Sequence, residues 1–347
     1  MKRPFALLVT LVFIVPVMVM AQQLDVPTGD GRYAHIMPTA QGSQILTAKN
    51  AARIASGTGM LTYHGGPVIL KATTYAIFWV PPTLQTGAST SMSLQYRTVQ
   101  SNLLTDYPGH SIANNNTQYY QGPPNYTLAY IQNAGSFGGS YVDTSAYPAS
   151  GCNDAATPGN CISDAQAQTE IAKVMGIKGW TGGLTKVFLL FTSSGEGSCL
   201  STNNCAYYGS SGYCGYHSHF VNSSAQTVAY ANIPYGQPSV CQNSGAPSPN
   251  NNPAADTAAT ASSHELTEAI TDPMGNAWYS STNGEEIGDL CNRYYGYLGW
   301  DGGLANEFWN KHYYLVQTEY DNYLSGIAIT VNGVQGPFGC FNVGPEL

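Results

Sequence analysis

His264-Glu265-Leu266-Thr267-Glu268 is the stretch of this 347-residue chain whose residue types and spacing best suit chemistry. Residues four apart share one face of a helix. A helix here therefore presents His264 and Glu268 to a single ion, with Glu265 one step round and within reach of a water on it. This is the arrangement of an H-E-x-x-H zinc-hydrolase helix with a carboxylate in place of the second histidine. Glu285-Glu286-Ile287-Gly288-Asp289 follows about 20 residues later, and either Glu286 or Asp289 can return to the ion as a third ligand. One imidazole and two carboxylates leave a position for water, whose pKa zinc lowers to about 7. Glu265, as general base, would take its proton and pass it to the leaving group. The expected reaction is hydrolysis of a polarised carbonyl, most simply a peptide bond. Zn²⁺ is the expected ion, and the oxygen-rich ligation lets Mn²⁺ or Ca²⁺ compete.

A helix with two glutamates is often only a solvated face, but the local density of acids argues otherwise. Six of the chain's 20 acids fall in residues 264–289, where even spreading would give about 1.5. On a chain only 9% charged, against about 25% in typical proteins, such a concentration requires a counter-ion. Cys214-Gly215-Tyr216-His217-Ser218-His219 is a second cluster. On a strand His217 and His219 share a face and can complete the first site, hold a separate ion or polarise a substrate carbonyl. The plainer reading is a disulfide-anchored strand with hydrogen-bonded histidines. His312, beside Tyr313 and Tyr314, offers further transition-state donors, whereas His64 before Gly65-Gly66 reads as a structural strand end.

Several elements must position these residues. The Ala-rich stretch 254–271 is predicted helical, and Pro273 ends it, because the residue before proline is pushed out of the α region. Residues 89–104 and 164–175 also read as helices, the latter capped by Ser163 or Asp164. Lys186-Val-Phe-Leu-Leu-Phe-Thr192 has the length and composition of a central strand. A buried strand or hairpin is expected in 68–80 and further strands in 126–131, 226–233 and 327–331, with a long Gly/Ser/Pro-rich loop over 132–161. The alternation predicts one α/β or α+β domain over 61–347, with a central mixed sheet and flanking helices.

Lys2 and Arg3, an apolar run over 5–20 and small residues around Ala21 read as a secretory signal peptide covering 1–21. Residues 22–60 read as an exposed lead-in or pro-segment. Eight cysteines in an exported chain imply four disulfides. Short loops favour Cys152–Cys161 and Cys199–Cys205, leaving Cys214, Cys241, Cys291 and Cys340 for longer staples. A net charge of -8 without a Lys/Arg cluster argues against nucleic acid as a partner. No membrane contact is expected once the signal is cleaved. Twenty-five tyrosines suit polysaccharide contact and equally suit half-buried strands.

Tyr63-His64-Gly65-Gly66-Pro67, Cys214-Gly215-Tyr216-His217-Ser218, Ser263-His264-Glu265-Leu266-Thr267-Glu268-Ala269, Thr271-Asp272-Pro273, Asn276-Ala277-Trp278-Tyr279 and Glu286-Ile287-Gly288-Asp289-Leu290-Cys291 occur in that order. Together they resemble the Exordium-like, or phosphate-induced, proteins, with a zincin-like helix among them. The resemblance implies a protein of the extracellular matrix or cell wall, associated in plants with growth and with phosphate or hormone response. It brings no established reaction, and some plant relatives look to lack the His and Glu of this helix. Two readings follow. One is a secreted metal-dependent hydrolase acting on a peptide or protein. The other is a non-catalytic, wall-associated or carbohydrate-binding protein whose carboxylates hold a structural ion.

Overall fold

The structure, a computed structural model, describes residues 24–44, 61–122 and 127–342. The predicted signal peptide, residues 45–60 of the lead-in and the start of the 126–131 strand lie outside the described residues. An uninterrupted apolar run is stable only where both sheet faces are covered, and the run at 186–192 meets that condition. Seven strands form the main sheet: Asp25–Pro27 (β1), Tyr33–Pro38 (β2), Thr73–Trp79 (β3), Ser136–Asp143 (β4), Lys186–Thr192 (β5), Tyr213–Val221 (β6) and Thr227–Ile233 (β7). Their order is β1-β2-β6-β7-β5-β3-β4. Strands β7, β5, β3 and β4 are parallel, while β6, β2 and β1 each add antiparallel to a neighbour. Phe188, Leu189, Leu190 and Phe191 of β5 are fully buried, each contributing roughly 1.5–3 kcal/mol.

Three main helices cover the sheet: Leu94–Asp106 (α1), Asp164–Lys178 (α2) and Pro253–Thr271 (α3). Ser163 and Gln166 form a reciprocal capping box at α2, and Gly179 closes it in the left-handed conformation. Tyr216 and Tyr230 point to the α2 face, where both hydroxyls donate to Asp164. His217, next in the chain, points to the opposite face, where α3 packs across β6 and β7. Helices on both faces of a mixed sheet make this the α/β architecture expected from sequence.

α3 is unusual in being buried around its whole circumference from Ala255 to Thr271. Its Ala, Ser and Thr side chains allow close approach on every side. Its hydroxyls are satisfied locally, as Thr257, Thr267 and Thr271 donate to carbonyls four residues back. Asn252 caps the start through Ala255 N–H and Pro253 occupies the first turn.

Four disulfides staple the fold: Cys152–Cys161, Cys199–Cys205, Cys214–Cys241 and Cys291–Cys340. The two short-loop pairs are those favoured by spacing.

Two expectations need correction. The described part of the 22–60 segment is not an exposed lead-in. It forms β1 and β2, with Ala34, His35, Ile36 and Met37 buried, because β2 pairs with β6 along the sheet. The 132–161 stretch is not wholly loop either, since it contains β4, the strand at the parallel edge. The strand expected over 68–80 is confined to β3. No helix among the described residues is long and apolar enough to cross a membrane.

Candidate metal centre

Strand register places the first half of the site. Asp25 of β1 lies opposite His35 of β2, and His35 lies opposite His217 of β6, so the three form one row across the sheet. The row continues to Ala231 of β7, a small residue that leaves room for α3. Gly215 makes the same allowance on β6. A Cβ there would stand 3.0 Å from Glu265 Cγ and Oε1, so any larger residue would have to push the Glu265 side chain aside by a few tenths of an ångström. The Cys214–Cys241 disulfide ties this part of β6 to the short helix Pro238–Cys241.

α3 supplies the second half. Helical spacing along α3 puts His264, Glu265 and Glu268 over the row. The helix ends at Asp272, whose Oδ1 accepts from Asn276 and Ala277 N–H at 2.7 and 2.8 Å. The loop carrying Glu286 and Asp289 closes the site from a third side. It is held by Cys291–Cys340, by Gln317 donating to Gly288 O and by Tyr320 N–H donating to Ile287 O. Gly288 is required for that approach, because a Cβ would stand 2.6 Å from His264 Nδ1 and 2.9 Å from Glu268 Oε1.

The distances describe a tight cluster. His264 Nε2 lies 3.1 Å from Glu268 Oε2 and 3.8 Å from Asp289 Oδ1. His217 Nδ1 lies 3.2 Å from Glu265 Oε2 and 3.6 Å from Glu268 Oε2. His35 Nε2 stands 2.6 Å from Asp289 Oδ2, with Asp25 on its Nδ1 at 2.9 Å. Two sets of three ligand atoms each lie within 4.8 Å of one another: His35, Glu268 and Asp289, and His217, Glu265 and Glu268. Despite this proximity, both nitrogens of His264, both oxygens of Glu268, Glu286 Oε2 and Asp289 Oδ1 are buried without a hydrogen-bond partner. Such atoms are costly unless something else binds them.

The charges agree with that reading. Glu265, Glu268, Asp272, Glu286, Asp289 and Glu319 are each at most 4% exposed. Among the described residues, the ion pairs of Arg and Lys go instead to Asp30, Asp143 and Glu170. Burial pushes the Glu265, Glu286 and Glu319 carboxyls well up and Asp272 up to about 6. Burial alone would lower His264, but the Glu268 charge beside it raises the imidazole to about 10. His217 is pushed down to about 4, because burial outweighs the pull of Glu268. The cluster's imidazoles and carboxylates are of the types that could hold a divalent cation. Imidazole with carboxylates suits Zn²⁺ or Mn²⁺ better than Ca²⁺, which prefers six to eight oxygens.

Not every expected residue takes its expected place. His264, Glu268, Glu286, Asp289 and His217 come together. Glu265 is turned toward the sheet and accepts Met37 N–H at 2.9 Å. His219 joins neither ligand set. It lines a neighbouring cleft of about 440 Å³ whose wall includes Asp25, Arg32, Asp272, Tyr279 and Glu286. His312 is engaged elsewhere, with Nδ1 2.7 Å from Asp106 Oδ2. Asp25 and His35 were missed by sequence reasoning, and the apolar run 33–38 flanking His35 was the available signal of a buried strand.

No curated protein and no solved structure matches the chain. Residues 61–324, which carry every ligand candidate except Asp25 and His35, match the phosphate-induced protein 1 conserved region, and the chain belongs to that family.

Proposed function

We propose that the chain is an exported, cation-dependent hydrolase acting on peptide or protein substrates, with the cluster around Glu268 as its centre. The observation that carries this reading is the set of fully buried side-chain atoms of His264 and Glu268, which meet each other at 3.1 Å without forming a hydrogen bond and face Asp289 and His217. Zn²⁺ or Mn²⁺ held there would act as a Lewis acid on a substrate carbonyl and lower the pKa of an attacking water. Glu286 is the group best placed to move the proton. It borders the open cleft, and its Oε2 stands 3.8 Å from His217 Nε2. Glu265, packed against the β2 backbone, serves the centre as a ligand. Arg32 and Tyr279 on the cleft wall would meet the substrate. The four disulfides and the apolar N-terminal run favour an extracellular or cell-wall location.

A second reading is a structural ion in a non-catalytic wall protein that binds polysaccharide, favoured by the near-complete burial of the ligands. Glu286→Gln separates the two. With Zn²⁺- or Mn²⁺-loaded protein, fluorescent casein and a mixed quenched-peptide library should be cleaved by the native chain. The variant should lose at least 100-fold in turnover with its cation content unchanged. No cleavage by the loaded native chain, or equal cleavage by the variant, would leave the structural reading in place.

A further inference from the structure

We infer that the cluster holds two cations side by side, bridged by Glu268, rather than one. The inference rests on the reading above that the cluster binds divalent metal, and it concerns number and placement. Donors gripping one ion at about 2.1 Å stand about 3.0–3.4 Å apart. His217 Nδ1 meets that spacing with Glu265 Oε2 at 3.2 Å, as does His264 Nε2 with Glu268 Oε2 at 3.1 Å, while His35 Nε2, hydrogen-bonded to Asp289 Oδ2 at 2.6 Å, must part from it slightly for the two to share an ion. The two ligand sets share only Glu268, and neither alone uses the donors on all sides. One ion is therefore assigned to His217, Glu265 and Glu268. The other is assigned to His35, Asp289 and Glu268, with His264 beside the last two.

His35 has the outer partner that a metal-binding histidine requires. Asp25 Oδ1 sits 2.9 Å from His35 Nδ1, which turns Nε2 inward to Asp289. Glu286 Oε2 faces His217 Nε2 on the side away from Glu265. A carboxylate bridging two ions about 3.5–4 Å apart is the arrangement of two-metal hydrolytic centres. The second ion depends on His35, which precedes the matched region 61–324. The strands β1 and β2 are therefore part of the working protein and not a removable pro-segment.

The test is elemental analysis of the folded full chain after loading with Zn²⁺ or Mn²⁺ and gel filtration. Two equivalents per chain are expected, falling to one in His35→Gln and one in His217→Gln. Thermal melts confirm that the variants fold. Asp25→Asn at the cleft edge provides a milder variant, expected to weaken only one of the two ions by about tenfold. With Mn²⁺, paramagnetic resonance of the native chain should show a spin-coupled pair, and His35→Gln the signal of isolated ions. One equivalent in the native chain, or unchanged content in His35→Gln, overturns the pair and leaves a single-ion centre standing. No bound cation overturns both.

Discussion

Two groups of buried acids in this molecule are neutralised in different ways. Asp143 and Glu170 pack around Lys173, whose Nζ lies 2.5 Å from both carboxylates. Ser145 completes the set through its amide and hydroxyl, and the ammonium rests over the Trp79 ring at 5.5 Å. That group carries its own cation. The larger group around Glu268 has more acids, deeper burial and three imidazoles, yet among the described residues no lysine or arginine pairs with it. Unneutralised buried charge is expensive, and on the reading proposed above a cation from solution supplies what the raised imidazole of His264 and the raised carboxyls of Glu265 and Glu286 leave over. The difference supports reading the first group as structural and the second as the proposed binding centre.

The largest effect expected from breaking this contrast comes from the brace on the metal loop. Cys291→Ser with Cys340→Ser opens a loop with sequence separation 49, worth about 4 kcal/mol in the chain-entropy account. Chemical denaturation should register that loss, and equilibrium dialysis should show weaker cation binding. Gly288→Ala comes next. Its methyl would enter the space of His264 and Glu268, costing about 1–3 kcal/mol and lowering cation affinity at least tenfold. Full affinity in that variant would show that the loop does not close on the ion.

Lys173→Met probes the opposite side of the comparison. It should lower stability by about 1–3 kcal/mol, less than for a fully buried pair because the ammonium is partly exposed, while cation content stays the same. The smallest effect is a pH dependence. Burial, with Asp143 alongside, pushes Glu170 up to about 8. The folded chain therefore keeps a proton that the unfolded chain releases, and this group's contribution falls as pH rises from about 4.5 to about 8. Glu170→Gln should flatten that part of the stability profile, as read by melts across the window. An unchanged slope would mean the group titrates normally.

Much of the centre was legible because α3 announces itself. Its Ala content, the Asp272-Pro273 stop and the clustered acids fixed which side chains could meet. The central strand was equally plain from its apolar run. What stayed hidden depended on pairing between distant segments. His35 sits in a short apolar run within polar surroundings, and its role exists only because β2 adds to β6. Strand β4 was masked by Gly138 and Gly139. The structure explains the first of these, since a Cβ at Gly138 would run into the Tyr75 ring at 2.3 Å. The turn of Glu265 toward the Met37 amide likewise depended on a strand not foreseen in that place.

The account turns on an imported divalent cation at Glu268, and thermal denaturation with and without a chelator tests it most directly. At free ion about 1,000 times Kd, binding adds about 4 kcal/mol of stability. Chelation should therefore lower the midpoint by several degrees, Zn²⁺ or Mn²⁺ should restore it, and Glu268→Ala should respond to neither. A native chain whose midpoint is the same under chelation and under saturating cation would contradict the account.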